Sequence, residues 1–388
     1  MKSNVGYSTL ENAFEAGKET ALKAQNNLKK TKIGMLYTSV DYNQEEVIKG
    51  VQSVMKDIPF IGCTSSGGII VPDGIITSDH GFAGMLTIEE ESMIVGIAGS
   101  PLKKDARETG RMVAYEALEN AGADFAPSYY YMVASPKEEE SYVKGIQDVI
   151  GDVPFFGGSA ADNTISGDWK IICNDQSFSD GVAVAFFYTE KPIETVYTGA
   201  YKESKNVGII TKVKNDRNLI EIDGVPALKK YAEWTGASVN DLMGSNLLVA
   251  SVTKPLGVKE SLGDLIAIRH PMAGNDDYSI SLGNKVVENT AIIQMESTVD
   301  ELISSTGKTL NEVNKKLKNP GAYFLVHCGG RKVGIGDRLE EVYNSIKSVT
   351  KDVPFITIFT FGEYGYNEHS RNTCGGLMLS FTGFDKEE

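Results

Sequence analysis

Three glycine-bearing stretches of this 388-residue chain carry the side chains best suited to holding a small molecule. The first is Cys63-Thr64-Ser65-Ser66-Gly67-Gly68, the second Gly157-Gly158-Ser159 with Asp162 and Asn163, and the third Gly362-Glu363-Tyr364-Gly365. Residues without a β-carbon let backbone amides approach a ligand and present clustered donors to a carboxylate or phosphate. The hydroxyls of Thr64, Ser65 and Ser66 add to those donors. The first stretch is neutral, whereas Asp162 and Glu363 are suited to an ammonium group, and Arg269 offers a planar fork to a carboxylate. An amino acid uses both charges, so Arg269 and Glu363 are expected to read its two ends. The competing reading pairs Arg269 with an internal aspartate and treats each glycine pair as a tight turn.

Cys63 follows a strand-like run and precedes small residues, which admits an alternative chemistry: a thiol-dependent hydrolase or acyl transferase with His369 or His327 as base. A small buried cysteine fits the same pattern, and no catalytic residue is assigned. The four cysteines, Cys63, Cys173, Cys328 and Cys374, form no CxxC pair, and His80, His270, His327 and His369 lack short-range pairing, so neither a metal nor a disulfide framework is expected. The chain has no GxxxxGK[ST] motif, and Gly329 to Gly336 lacks the GxGxxG order, so no cofactor is expected either. Arg331 and Lys332 in that stretch read as a basic loop tip. Tyr129-Tyr130-Tyr131 and Trp234 read as core or interface aromatics.

The elements that must position these residues are organised by a repeat. Asp57-Ile58-Pro59-Phe60, Asp152-Val153-Pro154-Phe155 and Asp352-Val353-Pro354-Phe355 each follow an amphipathic stretch and lead toward one of the candidate loops. Proline drives its predecessor to extended geometry and phenylalanine begins a buried strand, so the motif is a helix stop with a structural role. An apolar strand precedes each copy (32–37, 129–133, 323–327), then a helix (44–55, 140–150, 339–349), and a further strand follows (82–88, 182–188, 377–381). Additional strands at 92–97 and 194–198 are expected to close the first two copies. Between the second and third copies, 206–297 reads as strand-rich. The expectation is an α/β fold with mixed sheets, made of repeated helix-strand-helix-strand-strand units in two domains, 1–202 and 206–388, as a multi-layer α/β sandwich.

Composition narrows the partners. Acidic residues outnumber basic ones, 52 to 38, giving a net charge of −14 that opposes phosphate backbones and anionic bilayers. Nucleic acid and membrane are therefore not expected partners. The apolar runs are strand-sized and well short of the roughly 20 residues of a spanning helix, and residues 1–17 lack an apolar core of signal-peptide length. The cytoplasm is the expected compartment.

Four motifs in order, Ile61-Gly62-Cys63-Thr64-Ser65-Ser66-Gly67-Gly68, Phe156-Gly157-Gly158-Ser159-Ala160-Ala161-Asp162-Asn163, Glu221-Ile222-Asp223-Gly224-Val225-Pro226-Ala227 and Phe361-Gly362-Glu363-Tyr364-Gly365, resemble the FIST sensory domain family, FIST N followed by FIST C. Arg269-His270-Pro271 resembles the family's arginine-containing strand end. The resemblance covers about residues 30 to 382. It implies a ligand-sensing module of signal transduction that binds small molecules such as amino acids, and enzymatic activity is not part of what it implies. No output domain is recognised in the sequence, so a signalling protein partner is the expected route of output.

Overall fold

A computed structural model describes residues 1–259, 265–367 and 371–386. Three repeats share one order: opening strand, first helix, inner strand, second helix, partner strand, hairpin, closing strand. In the first repeat these are Lys2–Ser8, Ala13–Ala24, Thr31–Thr38, Gln44–Val54, Phe60–Thr64, the hairpin Ile69–Val71 with Gly74–Ile76, and Ala83–Glu89. The second runs Ile94–Pro101, Ala106–Ala121, Tyr129–Ala134, Glu139–Ile150, Phe155–Ser159, Ile171–Cys173 with Gln176–Phe178, and Gly181–Tyr188. The third opens with Ile193–Thr198, is interrupted by an inserted module over 202–296, and resumes with Val299–Lys316 and Pro320–Cys328. A short helix Gly329–Ile335 then precedes Leu339–Thr350, Phe355–Thr360, Glu363–Asn367 with Arg371–Gly375, and Leu379–Asp385.

Local chemistry explains the element ends. Asn12, Asn43 and Asp105 each accept a backbone N–H from the third residue beyond, and Thr298 forms a reciprocal capping box with Glu301, so first helices in all three repeats begin on a side-chain cap. The Asp-x-Pro-Phe copies start the parallel ladders. The carbonyls of Pro59, Pro154 and Pro354 accept from the amides of Gly34, Tyr130 and Tyr323 at 2.9, 3.1 and 3.0 Å. Proline gives up no ladder donor there, because it stands just before the strand.

Pairing departs from the local reading in one respect. The strands expected to close the first two copies instead open the next: Ile94–Pro101 lies against Gly181–Tyr188, and Ile193–Thr198 against Leu379–Asp385. Which sheet a strand joins is a long-range property that its own alternation does not encode.

Each hairpin leaves its own repeat. Ile69–Val71 extends the third repeat's sheet at Phe355–Thr360, Ile171–Cys173 extends the first at Phe60–Thr64, and Glu363–Asn367 extends the second at Phe155–Ser159. The result is three six-stranded mixed sheets related by an approximate three-fold axis. A ring of equivalent backbone bonds marks that axis: Ser66 N to Phe359 O at 2.9 Å, Ala161 N to Thr64 O at 3.0 Å, and Phe361 N to Ser159 O at 3.3 Å. Helix pairs cover the outer faces, while Tyr37, Tyr131 and Phe324 from the three inner strands meet in the shared core. The hydroxyls of Tyr37 and Tyr131 satisfy each other at 2.9 Å. The inserted module folds on an antiparallel eight-stranded sheet with its own core around Leu219, Leu228, Tyr231 and Ile280.

Candidate functional site

A cavity of about 730 Å³ lies between the three-repeat body and the inserted module. The body contributes residues that follow the C-terminal ends of its inner and partner strands, including Ser66, Glu139, Asn163, Gly330 and Phe361. Loops at those ends are where open α/β sheets place ligands. The module contributes Arg217, Leu248, His270, Met272 and the run from Ser281 to Lys285.

A polar seam joins the two sides. Arg217 donates Nη2 to Glu139 Oε2 at 2.8 Å, Glu140 Oε2 at 2.7 Å and the Lys137 carbonyl at 2.7 Å, and Nη1 to the Gly283 carbonyl. Lys285 reaches Ser141 Oγ at 3.0 Å and Glu138 at 3.5 Å. Burial pushes the Glu139 carboxyl up from its ordinary range, and the Arg217 guanidinium pulls it back. Glu139 Oε1 also accepts from Ser159 Oγ at 2.9 Å, and Ser159 lies 2.7 Å from the Tyr364 hydroxyl. A continuous polar chain therefore runs from the module into the second repeat's sheet.

The candidates of the sequence divide between the cavity wall and the packing beneath it. Ser66 and Asn163 line the cavity, and Asn163 Oδ1 accepts from the Gly67 amide at 2.9 Å. Lys332 Nζ donates to the Ser66 carbonyl at 2.8 Å. Thr64 Oγ1 accepts from the Lys170 amide at 2.9 Å, and Ser65 Oγ joins Gly68 O at 2.7 Å to Phe359 N at 2.9 Å, so both hydroxyls hold hairpins in place. Cys63 is fully buried among core side chains, and burial pushes its thiol well above the ordinary range. A thiolate nucleophile is disfavoured there. His327, one of the two proposed bases, is buried and pushed down to about 3, while His369 lies outside the described residues.

Gly157 and Gly158 sit within the partner strand, where neighbouring backbone leaves no room for a side chain. Gly362 accepts from the Ser159 amide at 2.8 Å. Asp162 spends its carboxylate on the amides of Thr164, Ile165, Gly167 and Asp168, which makes it the organiser of its own loop. Arg269 donates to the Cys374 carbonyl at 3.2 Å. Glu363 is fully buried and accepts from Thr360 Oγ1 and the Met378 amide, both at 2.9 Å. Neither Arg269 nor Glu363 is among the residues lining the cavity.

Glu139, Arg217, Trp169, Asn284 and His270 belong to the wall and were not among the ligand-binding candidates of the sequence. His270 had a signal, since it is the neighbour of Arg269 and alternate residues of an extended chain face opposite ways. Its Nε2 bonds the Leu248 carbonyl at 3.0 Å, and burial pushes the ring down to about 4. Among the described residues no group of three or more His, Cys, Asp or Glu side chains is placed to hold a metal ion.

Burial pushes Glu363 up to about 8, against the bonds from Met378 and Thr360. The folded protein then holds a proton that the unfolded chain releases near pH 4.5, so this group's stabilisation is complete below that value and is lost as pH rises toward 8. Glu363→Gln mimics the protonated carboxyl. Relative to the parent, the variant is expected to gain stability with rising pH between 5 and 8, by up to about 1.4 kcal/mol per pH unit. Thermal unfolding of both proteins at pH 5, 6.5 and 8 checks this, and parallel curves would refute it.

The FIST N domain profile matches residues 32–225 and the FIST C domain profile residues 227–366, so the chain belongs to the FIST family, a class of sensory domains in signal transduction. Among solved structures, the chain is similar to a cyanuric acid hydrolase from A. caulinodans at 8% identity, over 100% of this chain and 99% of that one, with a TM-score of 0.35. It is also similar to phosphoribosylformylglycinamidine synthase II from Thermotoga maritima at 11% identity, over 98% of this chain and 72% of that one, with a TM-score of 0.22. No curated protein matches the chain.

Proposed function

We propose that this protein is a cytoplasmic small-molecule sensor whose ligand occupies the cavity between the three-repeat body and the inserted module. One observation carries the reading: the wall is split between two units joined by the Arg217 and Lys285 seam, so a ligand that touches both sides biases their relative position. The module would then transmit occupancy to a signalling protein partner. Among the described residues no helix is long and apolar enough to cross a membrane. An amino acid entering this cavity would meet Arg217 and Glu139, in place of Arg269 and Glu363.

A thermal-shift screen over amino acids, peptides and neutral metabolites tests the proposal. A ligand at one hundred times its dissociation constant is expected to stabilise the protein by about 2.7 kcal/mol. Val333 lines the cavity yet is exposed on the short helix, so Val333→Phe narrows the mouth with little cost to folding. The variant is expected to lose the shift. A screen in which no compound class shifts melting, or a shift that survives Val333→Phe unchanged, overturns the assignment.

A further inference from the structure

We propose that the cavity selects an uncharged, largely apolar ligand of about drug size that shares hydrogen bonds with His270 and Asn284. This rests on the cavity being the sensing site and names what it takes. The terminal nitrogens and carboxylates of the charged groups within the wall are already engaged, while the buried Nε of Arg217 has no hydrogen-bond partner among the described residues. Arg217 spends its terminal nitrogens on two carboxylates and two carbonyls, Lys285 on Glu138 and Ser141, and Glu139 on Arg217 and Ser159. Lys137 and Asp216 lie at the exposed rim. An ionic ligand would have to leave water without a free counter-charge inside, which is costly.

What the cavity offers instead is neutral. Trp169 and Phe361 meet edge to face at 6.1 Å in the wall, beside Leu248 and Met272. His270 is 5% exposed, and its bond to the Leu248 carbonyl assigns the proton to Nε2, leaving Nδ1 as an acceptor beside Gly330. Asn284 is 2% exposed with no side-chain hydrogen bond among the described residues, and its Oδ1 lies by Gly376, next to His270. A buried amide without a protein partner in a cavity wall is the mark of a ligand or water contact. The two groups supply an acceptor, a donor and a second acceptor, all uncharged. The volume of about 730 Å³ suits a drug-sized molecule better than a single amino acid.

Two probes with one skeleton isolate the role of charge: N-phenyl-1-naphthylamine, neutral with one N–H donor, and 8-anilino-1-naphthalenesulfonate, which adds a sulfonate. The chain has two tryptophans, so Trp234→Phe leaves Trp169 as the sole tryptophan donor under excitation selective for indole. In that variant the naphthylamine is expected to bind with energy transfer from Trp169, at least tenfold more tightly than the sulfonate. Equal or tighter binding of the sulfonate, or a naphthylamine that draws nothing from Trp169, overturns the proposal. Amino acids that raise melting and quench Trp169 while the naphthylamine does neither would sink the ligand class and leave the cavity as sensor. Melting shifts with Trp169 silent toward every ligand would remove the cavity reading itself.

Discussion

Arg217→Met is expected to destabilise the protein by about 3 kcal/mol near neutral pH, the size of loss seen when one partner of a buried ion pair is removed. The guanidinium joins the inserted module to Glu139 and Glu140 of the second repeat and also covers the carbonyls of Lys137 and Gly283. Without it Glu139 has no counter-charge, while its side chain stays 2% exposed. Protonation limits the damage: burial already raises this carboxyl, and loss of the guanidinium raises it further. The folded variant then binds a proton that the unfolded chain lacks, so its stability falls as pH rises, and the penalty is expected to grow between pH 6 and 8. Calorimetric unfolding across that range, with the double variant Arg217→Met/Glu139→Gln alongside, separates charge from packing. The double variant is expected to be more stable than Arg217→Met alone at pH 8. A penalty independent of pH and unrelieved by Glu139→Gln would show that Arg217 acts through packing alone.

Gly157→Ala is expected to abolish folding, a loss above about 4 kcal/mol. The residue has φ of +142°, and an added Cβ would lie 1.9 Å from the Met132 carbonyl in the neighbouring strand, where backbone must move to relieve it. Gly167→Ala is the matched control. Its φ is +96°, but nothing lies within 4 Å of the added carbon, so it is expected to lose only about 1 to 3 kcal/mol of backbone strain. Soluble yield and melting temperature of the two variants decide the matter, and a folded Gly157→Ala with near-parental melting would refute the close approach. Thr357 stands two residues after Phe355, as Gly157 does after Phe155, so the third repeat tolerates a side chain at the equivalent point.

That comparison shows what a sequence can and cannot convey. The Asp-x-Pro-Phe copies were legible because a helix stop is local chemistry, and each proline carbonyl starts a ladder in the same way. The exchange of hairpins was illegible, since Ile69–Val71 carries nothing local that distinguishes Phe355–Thr360 from its own repeat's strand. Glycines that read as ligand cradles turn out, at Gly157 and Gly158, to admit neighbouring backbone instead. The sequence marks a residue with no side chain but not what fills the space. Asp162 was visible as a carboxylate, yet its partners are the amides of its own loop. Arg269 drew attention by charge, while the cavity wall is formed by its neutral neighbour His270.

The circular hand-over of hairpins also constrains how the protein is made. The hairpin of residues 69–76 completes its pairing only against a strand near residue 358, and the second repeat's sheet waits for residues 363–375. A ribosome must therefore release nearly the whole chain before the first hairpin has a sheet to join. The four strands of the first repeat's sheet pair among residues 2–89, but its hairpin must wait for the third repeat, and contacts of such sequence separation form slowly. Until they form, the nascent polypeptide presents unsatisfied strand edges to its neighbours. Cutting the chain at the boundary between its FIST N and FIST C segments likewise strands an edge on both fragments.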